Sequence, residues 1–299
     1  MKVTVAICTH NRAKDTAEAV NSVLAQQVDE AQYEVLVIDN RSTDGTAEAV
    51  RAIQQRPGVG PERVRCIRED KLGLSAARNR AIREARGEYI LFLDDDAVAR
   101  PGWMGAIVDV FERDPAIGCV GGRIDPVWEG GEPAWLPEAF KTLYTVLDYA
   151  PRVVEMEAPR IPFGANVAFR ASLFRQHEPF REDLGRVGSS LLSNEESELI
   201  GRIRQSSTVY YTPHAAVDHK IDRSRISRKW FLRRVYWQGI SDAARGGRGA
   251  AYMLKQALKI APSALLLLLS LPDPQKQMVQ LRRIQYSGGY IAGRLGWFK

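Results

Sequence analysis

Cysteine is scarce in this chain. Cys8, Cys66 and Cys119 are its only three, and they lie far apart with no CxxC spacing, so neither a zinc site nor a redox pair is on offer. Set among apolar residues, they are expected to be buried free thiols in a reducing compartment. The glycine signatures of common nucleotide folds are also missing. No GxGxxG follows the first apolar run and no GxxxxGK[ST] occurs anywhere, which excludes a dinucleotide Rossmann site and a Walker P-loop. The absence of GxSxG removes a serine nucleophile elbow. Apolar runs are short: Ala261 to Leu271 spans eleven residues, fewer than the roughly 20 that cross a bilayer. The opening MKVTVAICTHNR places eight residues before a polar turn, too few for a secretory apolar region. The expected location is the cytoplasm, peripheral to the inner face of the membrane.

What is present starts with size and charge. The 299 residues, 45% of them apolar, suit one large α/β domain with an appendage. The net charge of +6 hides an asymmetry. Residues 220–299 hold 16 Lys/Arg against 3 Asp/Glu, a balance of +13, so residues 1–219 hold 26 against 33, a balance of −7. Such a basic segment suits nucleic acid, anionic lipid or a phosphorylated substrate. The Leu-rich run inside it favours lipid or an apolar acceptor, so no nucleic-acid partner is expected. The same run could equally pack as an ordinary buried helix.

Over the first 122 residues apolar β-rich runs alternate with amphipathic stretches. Strands are expected at Val3 to Cys8, Tyr33 to Ile38, Val64 to Ile67, Glu88 to Leu93 and Ile117 to Gly121. Helices are expected over Lys14 to Gln26, from Thr43, over Leu74 to Ala85 and over Trp103 to Phe111. This alternation implies parallel strands joined by right-handed crossovers, a doubly wound, mostly parallel sheet with flanking helices. Residues 1–122 would form one half of the domain and residues 123–222 the other. Here regularity fades, and TVYYTPHAAVDHKI is expected to give two short strands ending at His219. Residues 223–299 would be a helical basic appendage.

In a doubly wound sheet ligands gather at the C-terminal strand ends. Three polar clusters lie there: Thr9 to Arg12, Asp39 to Thr46, and Asp94 to Asp96. Three adjacent carboxylates need a cation if they are buried, since two such charges about 5 Å apart repel by roughly 3 kcal/mol at an effective dielectric near 20. A solvated turn needs none. Asp39 can accept bonds from a sugar hydroxyl or a base, or close an Asx turn before the next helix. Gly73 precedes a helix whose first turn, with Arg78, can serve an anion.

The ordered set VAICTHNR, VIDNRSTDGT, GLSAARNRAI, YILFLDDDAV, GANVAFR and NEESEL resembles the inverting family 2 glycosyltransferases, nucleotide-sugar enzymes of the GT-A fold. The resemblance covers roughly residues 1–220. It implies that Thr9, His10 and Arg12 frame the nucleotide, that Asp39 bonds the base, and that Arg78 approaches the nucleotide. It implies further that Asp94 lies near the ribose and that Asp96 holds Mn²⁺ or Mg²⁺, with His219 as a second metal ligand. Asp95, between the two, is expected to point away through alternation along an extended segment. The family's GEDxEL pattern aligns with Ser193 to Leu199, so that Glu196 takes the base position, with Glu195 as the alternative. Ser193 and Asn194 replace the glycines of the fuller pattern. Gly164, Asn166 and Trp135 are expected to line the sugar or acceptor site, although Trp135 suits a loop-anchoring role equally well. The resemblance thus implies an enzyme moving a sugar from a UDP-sugar or other nucleoside diphosphate donor to an acceptor hydroxyl, with a lipid-linked or surface-polysaccharide precursor as acceptor and peripheral membrane contact through the basic tail. A retaining GT-A enzyme, a sugar nucleotidyltransferase and a non-catalytic sugar- or membrane-binding module are the alternatives.

Overall fold

A computed structural model of the protein describes residues 1–188, 190–246 and 249–297. In chain order its elements are β1 (Val3–Thr9), α1 (Ala13–Leu24), β2 (Tyr33–Asp39), α2 (Thr46–Gln54), α3 (Gly60–Arg63), β3 (Val64–Arg68), α4 (Leu74–Glu84), β4 (Tyr89–Leu93), β5 (Ala97–Ala99) and α5 (Trp103–Phe111). There follow β6 (Ile117–Trp128), β7 (Val154–Glu155), β8 (Asn166–Arg170), α6 (Glu195–Ile203), β9 (Thr208–Ile221), α7 (Arg228–Arg245), α8 (Ala250–Leu269) and α9 (Pro274–Leu295). The chain divides into two units. Unit 1 comprises Met1–Pro126, Thr145–Glu182 and Glu195–His219; unit 2 comprises Val127–Tyr144, Asp183–Asn194 and Lys220–Lys299.

The sheet runs β3-β2-β1-β4-β8-β6-β9-β5, with β7 on β9. β3, β2, β1 and β4 are parallel, and every residue of β2 and β4 is buried. Burial on both faces explains why these strands read as continuous apolar runs. β8 pairs antiparallel with both β4 and β6, and β5 and β7 pair antiparallel with β9, so the run of parallel neighbours that starts at β3 ends at β4. Two expectations change here. β6 continues seven residues past Gly121, and TVYYTPHAAVDHKI is one fourteen-residue strand. Pro213 does not break it because β7 pairs only with Tyr210–Tyr211 and β5 only with Val217–His219. Pro213 itself lies in the gap between those partners, which leaves that flank of β9 without a ladder to interrupt.

In unit 2, Trp135, Phe140 and Tyr144 surround Phe231, with Trp135 5.6 Å from it edge-to-face and Trp230 stacked on Tyr144. Trp135 is thus anchored in this cluster while part of its surface stays exposed. α8 is polarised against the usual sense. Gln256, Ser263 and Ser270 face inward and are buried, while Leu254, Leu258, Leu265, Leu268 and Leu269 are each at least 60% exposed. The Leu-rich run is thus not an ordinary core helix. With 20 residues, α8 is also long and apolar enough to cross a membrane by length and composition.

Asn166 is fully buried in unit 1, where its three hydrogen bonds join separate elements. Its Oδ1 accepts from Trp103 Nε1 at 2.8 Å, and its Nδ2 donates to Arg123 O at 2.9 Å and to Ala215 O at 2.8 Å. A Cβ at Gly122 would lie 2.3 Å from that amide nitrogen. With both amide atoms engaged in the core, Asn166 is a structural staple and not a sugar ligand. Asn166→Ala leaves an indole N–H and two carbonyls without partners, at about 1–3 kcal/mol each when buried. Urea denaturation should show a loss of at least about 2 kcal/mol, and an unchanged midpoint would refute the staple.

Candidate active site

The C-terminal tips of β1, β2 and β4 carry Thr9, Asp39 and, one residue beyond β4, Asp94. Parallel register sets Thr9 beside Asp39. After β4 the chain does not stay extended. The N–H of Ala97 donates to Asp94 O at 3.1 Å, closing a turn over Asp94 to Ala97, and β5 then pairs Ala97 with His219. That turn, rather than strand alternation, separates the three carboxylates. Ligand atoms of Asp94, Asp96 and His219 lie within 4.8 Å of one another. Asp95 is outside this group; its carboxylate lies 3.7 Å from Arg12, toward the side of Thr9.

Carboxylate oxygens and one imidazole suit a hard divalent cation such as Mg²⁺ or Mn²⁺. Several observations fit one here. His219 is 2% exposed, its Nδ1 has no partner, and its Nε2 lies 3.3 Å from Asp96 Oδ1. Burial raises Asp94 against the pull of Arg78, and burial with the charge of Asp96 pushes Asp95 up to about 7. The carboxylates therefore lack positive charge. Arg12 supplies part of it, with Nη1 2.7 Å from Asp96 Oδ2. Arg12 thus pairs with the predicted metal ligand.

Arg78 is the centre of a second cluster. Its guanidinium is only 2% exposed. Nη1 donates to Glu195 Oε1 at 3.0 Å and Glu196 Oε1 at 2.9 Å, and Nη2 reaches Asp94 Oδ1 at 3.5 Å. Burial alone would lower the Arg78 pKa, but the charges of Glu196, Glu195 and Asp94 reverse this and raise it. With its donors engaged this way, Arg78 orders acids rather than reaching a nucleotide itself. Gly164 makes the pairing possible, since a Cβ there would lie 2.0 Å from Arg78 Nη2 and 2.3 Å from Glu196 Oε1. Its role is clearance rather than lining a sugar.

Glu195 and Glu196 open α6, where the helix macrodipole favours acids. Asn194 precedes them at φ +82°, a left-handed conformation that glycine adopts freely and that Asn tolerates better than most residues. The two acids differ. Burial, then the charge of Glu196, pushes Glu195 up to about 8. Burial also raises Glu196, but Arg78 and backbone hydrogen bonds outweigh it and hold Glu196 below the ordinary value. Glu196 is therefore ionised near neutral pH, and its side chain keeps 17% exposure against 3% for Glu195.

Among the remaining predicted residues, Thr9 is buried with its hydroxyl 2.7 Å from Thr16 Oγ1, so that hydroxyl does not face a nucleotide. His10 is exposed, its Nδ1 2.7 Å from Asn40 O. Asp39 Oδ1 accepts from Ser42 N at 2.8 Å, the Asx turn, while Oδ2 has no partner among the described residues. Sequence reasoning missed Asn40. Its Nδ2 donates to Glu69 O and Lys71 O, and its Oδ1 accepts from Gly73 N. It thereby anchors the loop leading into α4 and Arg78. The only signal was a second polar residue after Asp39.

The sequence profile of the family described as Glycosyl transferase family 2 matches residues 4–177. A glucosyl-dolichyl phosphate glucuronosyltransferase of Haloferax volcanii is 30% identical over 245 residues, covering 81% of this chain and 76% of its own length. Among solved structures, the mannosyltransferase PcManGT from Pyrobaculum calidifontis, in complex with GDP-Man and Mn²⁺, superposes with a TM-score of 0.68 at 21% identity, over 100% of this chain and 88% of that one. S. aureus TarS 1-349 with UDP gives a TM-score of 0.56 at 18% identity, over 99% and 92%. These two likenesses show the GT-A fold.

The Glu195 shift has a consequence for stability. An unfolded Glu releases its proton near 4.5, while folded Glu195 keeps it up to about 8, so the folded state binds more protons between these values. Stability from this group falls as pH rises through that window. Urea midpoints from pH 5.5 to 8.5 should decline more steeply in the wild type than in Glu195→Gln; parallel declines would count against it.

Proposed function

The chain belongs to glycosyl transferase family 2, and from that premise we propose that it transfers a sugar with inversion from a nucleoside diphosphate sugar, a UDP-sugar first, to an acceptor hydroxyl. The observation that carries this reading is the adjacency, within unit 1, of a cation-hungry Asp94–Asp96–His219 group and an ionised Glu196 held by Arg78.

Asp94, Asp96 and His219 would hold the Mg²⁺ or Mn²⁺ ion. When bound, the ion supplies Lewis-acid neutralisation of charge on the diphosphate leaving group. Asp39 Oδ2 would accept from the nucleotide base. Glu196 acts as general base, taking the proton of the acceptor hydroxyl as that oxygen attacks the anomeric carbon. Arg78 keeps Glu196 deprotonated and fixes its carboxylate; Glu195, protonated near neutrality, is the poorer base. One displacement inverts the anomeric centre.

On the acceptor side, the Haloferax relative carries a dolichyl phosphate sugar in its name, and the basic, Leu-faced tail supports an acceptor that is lipid-linked. We therefore favour peripheral membrane contact through α8.

A thermal-shift panel of UDP, dTDP, GDP and CDP with and without Mn²⁺ tests the donor. A ligand at 100 times its Kd should stabilise the fold by about 2.7 kcal/mol. If no nucleotide shifts the protein with metal present, the donor site is misassigned. Asp96→Ala should abolish the metal-dependent shift, whereas Asp95→Asn should be milder. Glu196→Gln should keep the nucleotide shift but lower transfer by about 10²–10⁴-fold; unchanged turnover removes Glu196 from the mechanism. The product's anomeric configuration decides inversion.

A further inference from the structure

A second concave site lies wholly within unit 2. α7, α8 and α9 line an open cleft of about 710 Å³. Its wall includes three cationic side chains, Lys259 of α8 and Arg282 and Arg283 of α9. None of the three forms an ion pair among the described residues. Arg282 is half-buried and stacks 4.8 Å over the Phe140 ring. The one acid of the wall, Asp242, is already saturated. It accepts from Asn194 Nδ2 at 2.7 Å, Gln238 Nε2 at 3.0 Å and the Tyr286 hydroxyl at 2.5 Å.

The wall also carries an orphaned donor. Gln256 is 1% exposed; its Oε1 accepts from Ser287 Oγ at 3.0 Å, but its Nε2 has no partner. A buried amide N–H₂ without an acceptor is unfavourable in a folded protein, and a ligand oxygen would satisfy it. Cations without carboxylates and a donor without an acceptor call for the same ligand, an anion with several oxygens. The apolar part of the wall is Leu258, Pro262 and Leu266 of α8, with hydroxyl and amide side chains completing it; the apolar part lies next to the outward stripe of leucines on the same helix.

We propose that this cleft binds the phosphate of an amphiphile, a phosphate monoester carried on a long apolar chain, with the chain following the Leu face of α8. Lys259, Arg282 and Arg283 neutralise the phosphate oxygens, and Gln256 Nε2 donates to one of them. Phosphate recognition by several cations gains strength from partial burial, while the leucines make an apolar tail favourable over free phosphate. The proposal deepens the lipid-side reading above and rests on it in one respect, that the phosphate arrives on an apolar chain. The donor and metal assignments play no part in it.

The full chain can be tested by co-sedimentation with vesicles. Three compositions are compared: phosphatidylcholine with about 10 mol% polyprenyl monophosphate, with an equal charge of phosphatidylglycerol, or with uncharged polyprenol. Polyprenyl monophosphate vesicles should bind at least about 10-fold more tightly than either control, and Arg282→Gln and, separately, the exposed Lys259→Gln should remove that difference. Equal binding to phosphatidylglycerol would overturn the proposal in favour of non-specific charge. In a parallel thermal-shift arm, decyl phosphate should stabilise the wild type and inorganic phosphate should not. An equal shift by inorganic phosphate would overturn the apolar-chain requirement. The UDP and Mn²⁺ shift, read on the same proteins, keeps the two readings apart: its absence with lipid-phosphate selectivity intact indicts the donor site alone.

Discussion

The candidate site depends on one buried guanidinium. Arg78 comes from α4, yet it bonds the first two residues of α6 and the carboxylate that follows β4. Removing a charge from water costs several kcal/mol, and an uncompensated partner left behind costs about 3–5 kcal/mol. Neither the acids nor the arginine can therefore occupy these positions alone. The arrangement resolves a conflict, since catalysis wants an ionised carboxylate in a sheltered place and burial opposes ionisation. Arg78 reverses that opposition for Glu196 and not for Glu195. One cation thus divides two neighbouring glutamates into an ionised residue and a protonated companion. Counting Arg12 and Arg78 against Asp94, Asp95, Asp96 and Glu196 leaves a surplus of negative charge, which suits a divalent cation.

Much of unit 1 was legible because its parallel strands are buried on both faces. A largely apolar run closed by a polar tip is a strong signal, and β1, β2 and β4 carry it. The helix Trp103–Phe111 was readable to the residue from its apolar spacing. Other features lack such signals. β5 has three residues, too few for any period to show. β9 holds Pro213 between the stretches that pair with β7 and β5, and the proline reads as a break. The gathering of Asp94, Asp96 and His219 was legible, since chemistry and position coincide there. Placements were not legible where burial decides. Nothing in PFGAN tells a buried asparagine with three hydrogen bonds from one that faces a sugar. Likewise, Arg78 on a helix gives no hint that it is enclosed by three carboxylates.

α8 shows the same limit from the other side. By composition a Leu-rich helix belongs in a core, yet its inward positions are Gln256, Ser263 and Ser270. Seven-residue spacing puts these polar residues on one face, opposite the leucines. Such a patch in water is a liability unless something apolar covers it, and the basic flanks of unit 2 narrow the choice of cover to something anionic at its surface.

The three-residue strand after the aspartate turn has a consequence for how the protein is made. Asp96 and His219 are 123 positions apart in the chain, and the ladder of Ala97 with His219 is what brings them together. Closing so long a loop is entropically unfavourable until the intervening strands are in place. During synthesis the aspartates would emerge long before the histidine, so the complete three-ligand set forms only after the sheet has closed. The incomplete chain thereby lacks the assembled Asp94, Asp96 and His219 group while it is still folding.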